Sequence, residues 1–442
     1  MKIHFGTDGI RGRANENLTI DMAYRIGRYL GNYFPKGTIL IGRDTRLSGG
    51  MFEMALAAGA TAGGCDAYLL GVCSTPSLIY LVTAQKFDCG IMITASHNPY
   101  HDNGIKVIAS DGKKLSSDIE KAMEEYIYGA EDTLPLMKGE DIGQIFDYKD
   151  GLNKYIEHLK EEFPEDLSGM TVCVDCSNGS NIMTAAQVLR SLGCTVDVIN
   201  DKPNGLNINR DCGSTHIEAL VEKVKAGQYD CGFAYDGDAD RVIAVDGEGN
   251  VVDGDKMIYV IGCYLKKHDM LNGNKVVVTV MSNLGFFKAM DKVGIGYEKT
   301  AVGDKYVYQC MGENDYKLGG EQSGHVIVAD KATTGDGLLT SLLLLQIIKE
   351  ENKSLKNLTA DFKTYPQLLI NVEVKNKEKA IKDEEVQAVC KEVEEKLADE
   401  GRVLVRTSGT EPIVRVMVEA SSQAICEKYC NQIVNKIKER NL

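Results

Sequence analysis

Asp236, Asp238 and Asp240 alternate with small residues directly after an apolar run. Three carboxylates so close repel one another unless a cation sits among them. An oxygen-only set suits magnesium, which keeps a position open for one more oxygen. The bland alternative, a solvated acidic turn, sits poorly with the apolar run before it. Two other carboxylate chemistries fit less well. A calcium hand wants Gly at its sixth loop position and Glu at its twelfth, where this chain has Arg241 and Gly247. A phosphatase with an aspartyl nucleophile shares the Asp-x-Asp start, but Ala239 stands where Thr or Val is usual.

Ser96 lies in Thr-Ala-Ser-His-Asn-Pro, at the end of another apolar run. A serine there is ordinarily a turn or a cap. His97 beside it and Lys106 in Asp-Asn-Gly-Ile-Lys shift the reading toward chemistry. No Gly-x-Ser-x-Gly elbow surrounds it, which argues against a serine hydrolase. Glu321, Ser323 and His325 crowd one loop and offer acceptors and a titratable ring to a hydroxyl-rich molecule such as a sugar. Arg406, Ser408, Gly409 and Thr410, with Arg415 on the return, read as a phosphate cradle. Arg grips phosphate through two N–H groups, and Gly lets the backbone approach. Each of these two loops, taken alone, also reads as a plain turn.

The elements that must carry these loops follow an α/β alternation of strand-length apolar runs and helix-length amphipathic segments. The alternation runs three times. The first pass has strands at 38–42, 67–70 and 89–94 with a small-residue helix at 49–63. The second has strands at 170–175, 195–199 and 231–235 with a helix at 182–192. The third has a strand at 275–280, a helix at 284–293 and a strand around Leu318. Each pass ends by delivering a polar, Gly-rich loop from the C-terminal end of a buried strand, the edge at which open α/β sheets bind ligands. The tail differs, with strands at 368–374, 403–405 and 413–419 and helices at 384–398 and 424–437, as in a small α+β domain. Connectors at 128–151 and 359–366 are the natural boundaries.

A chain of 442 residues is too long for one core. With 43% hydrophobic and 26% charged residues it is globular. A net charge of −14 argues against nucleic acid or an anionic membrane surface as partner. It does not exclude an anionic small molecule, because exposed charges are screened beyond about 10 Å. Thirteen cysteines, an odd number, read as free thiols in a reducing compartment. Cys173 and Cys176 form a C-x-x-C inside an apolar strand, with no second pair to complete a zinc site. The first twelve residues carry no secretory pattern, and the apolar stretch 338–348 is too short to span a bilayer and reads as a buried helix. The expectation is a cytoplasmic protein.

Phe-Gly-Thr-Asp-Gly-Ile-Arg-Gly at 5–12, the serine loop at 94–99, the metal loop at 236–241, the sugar loop at 320–325 and the phosphate loop at 406–412 follow in this order. Together they resemble the alpha-D-phosphohexomutase family over the range 5–419. Within it, Gly-Glu-Gln-Ser-Gly-His and Val-Gly-Asp-Lys-Tyr-Val at 302–307 are most similar to the members that act on amino sugars. Glucose- and mannose-specific members often carry Met where this chain has Gln322, and many amino-sugar members have Gly where it has Ala239. The resemblance implies an α/β fold: three similar α/β domains with mixed sheets around a central cleft, at 1–153, 154–253 and 254–366, plus a smaller α+β domain at 367–442. It implies that glucosamine 6-phosphate and glucosamine 1-phosphate interconvert through a phosphorylated Ser96 and a bisphosphorylated sugar, which serves as intermediate or activator. On that reading Mg2+ is held by Ser96, Asp236, Asp238 and Asp240. Arg11 and Arg241 stabilise the moving phosphoryl group, and Lys106 and His325 are the acid/base candidates. Glu321, Gln322 and Ser323 read the sugar, and Arg406, Ser408, Gly409, Thr410 and Arg415 hold the distal phosphate. A glucose or mannose phosphomutase and a non-catalytic phosphosugar binder are the alternatives, and a homo-oligomer is left open.

Overall fold

Strands predicted from apolar runs become the centres of four sheets in the computed structural model, which describes residues 2–6, 8–163, 166–408 and 412–440. The first sheet has seven strands. From one edge to the other these are Phe5–Gly6, Gly9–Arg13, Asp102–Ala109, Cys89–Ile93, Thr38–Arg43, Asp66–Val72 and Ile145–Asp147. The second orders Val251–Val252, Val242–Asp246, Cys231–Tyr235, Thr171–Asp175 and Thr195–Ile199. The third orders Gly296–Thr300, Lys275–Thr279, Leu318–Gly320 and Val326–Val328. All three are mixed, because each adds an antiparallel return to a parallel centre.

That return positions the site. Cys89–Ile93 pairs antiparallel with Asp102–Ala109, Cys231–Tyr235 with Val242–Asp246, and Leu318–Gly320 with Val326–Val328. The serine, metal and sugar loops are the connections of these three pairs, so all three are placed by equivalent hairpins. Cys231–Tyr235 and Val242–Asp246 are buried along their whole length, the pattern of strands covered on both faces. The helix predicted at 338–348 forms as Gly337–Glu351 and is buried along its first nine residues, with the Asp336 carboxylate accepting from Leu339 N to cap it. No described helix is long and apolar enough to cross a membrane.

By packing, the chain divides into two units, Met1–Met281 with Ile295–Ala360, and Ser282–Gly294 with Asp361–Leu442. The second holds the three-stranded antiparallel sheet Gln367–Glu373, Ile413–Glu419, Arg402–Thr407. Helices Glu384–Leu397 and Gln423–Arg440 pack on it through Val386, Val393, Cys430 and Ile433. Helix Leu284–Val293 also belongs here. Leu284 N and Asn283 Nδ2 donate to the buried Glu419 carboxylate at 2.9 and 3.2 Å.

Three elements depart from the sequence reading. The connector at 128–151 contains Ile145–Asp147, the edge strand of the first sheet, whose half-exposed residues give no alternating signal. Gly9–Arg13 is a strand although two of its five residues are Gly. The helix expected at 182–192 breaks at Thr184, with a 3-10 turn at Ser180–Met183 before the helix Ala185–Ser191. All thirteen cysteines are free thiols. Burial pushes Cys173 up to about 12, so its C-x-x-C is inert packing.

Candidate active site

Ser96 follows the buried strand Cys89–Ile93 and takes a left-handed backbone, φ 50°. Its side chain is 2% exposed and donates from Oγ to Asp236 Oδ2 at 2.6 Å. Gly237 makes this approach feasible, since a Cβ there would lie 2.6 Å from the Ser96 carbonyl oxygen. The serine and metal loops therefore meet backbone to backbone.

Asp236, Asp238 and Asp240 each offer an oxygen within 4.8 Å of the others, and all three are buried. Burial, Asp240 and Asp238 together push the Asp236 carboxyl well above the usual range. Asp238 Oδ1 and Asp240 Oδ1 are buried without a hydrogen bond, an expensive state that a divalent cation would relieve. Their other oxygens are engaged. Asp238 Oδ2 accepts from Lys106 Nζ at 2.9 Å and from Thr75 Oγ1 at 2.6 Å. Asp240 Oδ2 lies 3.5 Å from Lys106 Nζ. An oxygen-only set with two unspent carboxylate oxygens fits a hard cation.

Burial alone would discharge Lys106, but Asp238, Asp240 and Asp8 outweigh it and hold the ammonium firmly protonated. Arg241 Nη1 donates to His97 Nδ1 at 3.2 Å. Burial first, then Arg241 and Arg11, lower the His97 pKa and keep the ring neutral. Arg11 pairs with Asp8 at 3.3 Å. Arg11 and Arg241 each retain a buried Nε–H without a hydrogen bond, two donors suited to an anion. His325 is 3% exposed. Asp240 works against burial and favours the charged ring. The Gly335 N–H, however, donates to its Nε2 at 3.0 Å. That bond needs the lone pair, so the ring is neutral with its proton on Nδ1, 3.9 Å from Asp240 Oδ2. Both ring nitrogens face protein.

The sugar loop is pinned to the strand after the metal loop. Val242 N donates to Gly324 O at 3.1 Å, and Gly324 has φ 94° with no room for a Cβ, which would fall 2.0 Å from Val242 O. Glu321 Oε1 accepts from Gly303 N at 3.2 Å, Gln322 Nε2 donates to Asp253 Oδ2 at 3.3 Å, and Ser323 is exposed. A cavity of about 230 Å³ is lined by Asp8, Thr75, Lys106, Asp240, Asp304 and His325 among others.

In the second unit Arg406 and Arg415 stand directly opposite across antiparallel strands. Like charges so placed repel. Burial and then Arg415 hold the Arg406 guanidinium below its ordinary pKa, the environment of an anion site. Lys377 Nζ donates to Ser408 O at 2.6 Å. Gly409 and Thr410 lie outside the described residues.

Ser96, Lys106, Arg241, His325 and the three aspartates thus form one cluster. Sequence reasoning missed Asp8, Thr75 and Lys377. Thr75 sits in Ser-Thr-Pro, which signals only a helix start. Its hydroxyl reaches Asp238 across 163 positions of chain.

Four family models tile the chain. They are described as phosphoglucomutase/phosphomannomutase alpha/beta/alpha domains I, II and III and C-terminal domain, and match residues 2–133, 153–249, 253–365 and 369–436. A phosphoglucosamine mutase of Lachnospira eligens is 50% identical over 446 residues, covering 100% of this chain and 99% of its own. One of Bacillus subtilis is 47% identical over 442 residues, covering 99% of each chain. Among solved structures, a phosphoglucomutase/phosphomannomutase family protein of Burkholderia thailandensis superposes with a TM-score of 0.83 at 23% identity, covering 100% of this chain and 99% of that one. An Aspergillus fumigatus N-acetylphosphoglucosamine mutase, in complex with GlcNAc-6P and magnesium, gives 0.71 at 18% identity, covering 100% and 96%.

Proposed function

This chain belongs to the phosphoglucomutase/phosphomannomutase family, and from that premise we propose how its residues carry out the reaction. It is an isomerase, a phosphohexomutase of the phosphoglucosamine mutase type. The reaction interconverts glucosamine 6-phosphate and glucosamine 1-phosphate, and Ser96 is the phosphoryl carrier. The observation that carries this assignment is the Ser96 hydroxyl bonded at 2.6 Å to Asp236, beside two carboxylate oxygens and two arginine N–H groups that have no hydrogen bond.

In the first half-reaction a sugar hydroxyl attacks the phosphorus on Ser96, the Oγ–P bond breaks, and Oγ gains the proton the hydroxyl loses and regains its bond to Asp236. The second runs in reverse at the sugar's other phosphoryl group, with Oγ attacking, that sugar O–P bond breaking and the proton passing from Oγ to the sugar oxygen. Asp236, Asp238, Asp240 and Ser96 would hold Mg2+, a reading that the oxygen-only set and the magnesium of the Aspergillus complex support. Bound there, the ion supplies positive charge that offsets repulsion between phosphoserine and an anionic substrate. Arg11 and Arg241 meet the equatorial oxygens with their spare donors. Lys106, held as an ammonium by Asp238 and Asp240, gives a proton to the oxygen that leaves phosphorus and regains one from the attacking hydroxyl, whereas His325 has its Nε2 occupied by the Gly335 N–H and stands beside Asp240. Glu321, Gln322 and Ser323 face the sugar, and Arg406, Ser408 and Arg415 take the phosphate that is not being transferred. Four domains with boundaries near 153, 253 and 366 carry these parts. Thirteen free thiols suit the cytoplasm.

Incubation with a hexose bisphosphate, followed by digestion and mass spectrometry, should place one phosphoryl group on Ser96. Ser96→Ala should be inactive with a melting temperature near wild type, since a single hydroxyl contributes about 1 kcal/mol. An active, folded Ser96→Ala enzyme would falsify the covalent route.

A further inference from the structure

Arg46 is fully buried and belongs to no part of the site described so far, yet both its Nη nitrogens reach carbonyls of the connection that carries Ser96. A guanidinium has five N–H groups. Nε donates to Asp44 Oδ2 at 2.8 Å. Nη1 donates to Asp102 O at 3.0 Å and to Pro99 O. Nη2 donates to Ser96 O at 2.9 Å and Asn98 O at 2.8 Å. Four carbonyls of one turn are thus gathered on one planar group. The ring closes through the other main-chain polar atom of the same residue. Ser96 N donates to Thr94 Oγ1 at 2.9 Å, and Thr94 Oγ1 donates to Asp44 Oδ2 at 2.7 Å. Asn209, from beyond the second sheet's first strands, adds Nδ2 bonds to Ser96 O at 2.8 Å and Asn98 O at 3.0 Å.

We propose that Arg46 is a positioning residue for phosphoryl transfer, locking Ser96 in its left-handed backbone so that Oγ is aimed at the metal loop. This inference rests on Ser96 being the phosphoryl carrier. Two physical arguments support it over plain structural filling. A buried ion pair such as Arg46 with Asp44 contributes little net stability, because desolvation offsets the attraction. A serine with φ 50° is strained and persists only where its surroundings over-determine it, a state that clusters at functional sites. An ammonium in place of Arg46 has only three donors and no plane, so it cannot hold the four carbonyls together.

The test is Arg46→Lys, assayed by steady-state kinetics and by the rate at which a hexose bisphosphate phosphorylates Ser96. The folded variant should lose about 10- to 100-fold in kcat and in the phosphorylation rate, the scale of a small misplacement of a reacting atom. KM should stay within about threefold, because the groups that bind substrate are untouched. Wild-type kcat in a folded Arg46→Lys enzyme overturns the inference, and so does a loss carried by KM alone. If Arg46→Lys fails to fold, Asn209→Ala poses the same question more gently, removing two bonds to the same carbonyls. A severalfold loss in kcat supports the role, and an unchanged kcat and phosphorylation rate overturn it. An active Ser96→Ala enzyme would instead remove the carrier assignment beneath it, so the two failures are distinguishable.

Discussion

Gln322 shows what one side chain can decide. Its Nε2 donates to the Asp253 carboxylate, which accepts only and also caps helix Gly254–Lys267 through Lys256 N. That bond uses one of the two Nε2 N–H groups, and the amide still offers its oxygen, an acceptor suited to the ammonium of an amino sugar, where a Met thioether would be weak. Glucosamine phosphate should exceed glucose phosphate by about 10- to 100-fold in kcat/KM, or ~1.4–2.7 kcal/mol, and Gln322→Met should narrow the gap. Competition assays on both sugars measure it, and an unaltered preference in the variant would move selectivity to another residue. At this scale the sequence was most legible where a motif concentrates unlike chemistry, as at Ser96 and the three aspartates. Asp44, Arg46 and Thr94 stayed invisible because their partners are mostly main-chain atoms and each other, about fifty positions apart. Such pairing leaves no mark on residue spacing. Ala239 in the metal loop has φ 58°, a conformation that glycine adopts without strain.

Among elements, the three equivalent hairpins explain why the loops could be read as repeats before any pairing was known. Each buried strand was legible from its apolar run, but its antiparallel return was not, and the shortest return, Val326–Val328, has only three residues in which to show a pattern. Gly324 reads as an ordinary turn glycine, whereas its backbone closes on Val242. Gly324→Ala combines a positive φ with a Cβ 2.0 Å from that carbonyl, so it should cost about 1–3 kcal/mol and raise KM by displacing Glu321 and Gln322. Urea unfolding and kinetics on one preparation test both. In the tail, the hairpin was legible, but the facing of Arg406 and Arg415 depends on strand register. Arg415→Ala should remove a charge-assisted phosphate contact of about 1.5–3 kcal/mol, roughly a 10- to 150-fold rise in KM. It should also leave Arg406 less repelled. A KM within twofold of wild type would remove Arg415 from the phosphate cradle.

For the molecule as a whole, chain order and packing part company at helix Leu284–Val293. Sequence places it in the third repeat, between two strands of the third sheet, yet it packs with the C-terminal unit. The attachment is polar and specific. Glu419 is fully buried, and burial raises its pKa, while its carboxylate accepts from Asn283, Leu284 N and Arg402 Nε. Gly285 lies against the Lys363 carbonyl, where a Cβ would come within 1.9 Å. Lys292 pairs with Asp361 at 2.6 Å. None of this shows in a hydrophobic pattern, which reports that a helix is amphipathic and not which partner covers it. A chain ending at Pro366 should therefore be worse than merely inactive. It would strip Glu419 and Arg402 from the helix and leave Phe286 and Phe287, both buried in the full chain, without the cover they have now. Hydrogen exchange should show the amides of 284–293 losing protection in the truncated chain, while those of Cys89–Ile93 and Cys231–Tyr235 keep theirs. Glu419→Ala in the full chain should reproduce part of the effect, at about 1.5–3 kcal/mol, the scale of a lost hydrogen bond to a charged group. Unchanged protection of 284–293 in both proteins would mean that the third sheet, and not the C-terminal unit, holds this helix.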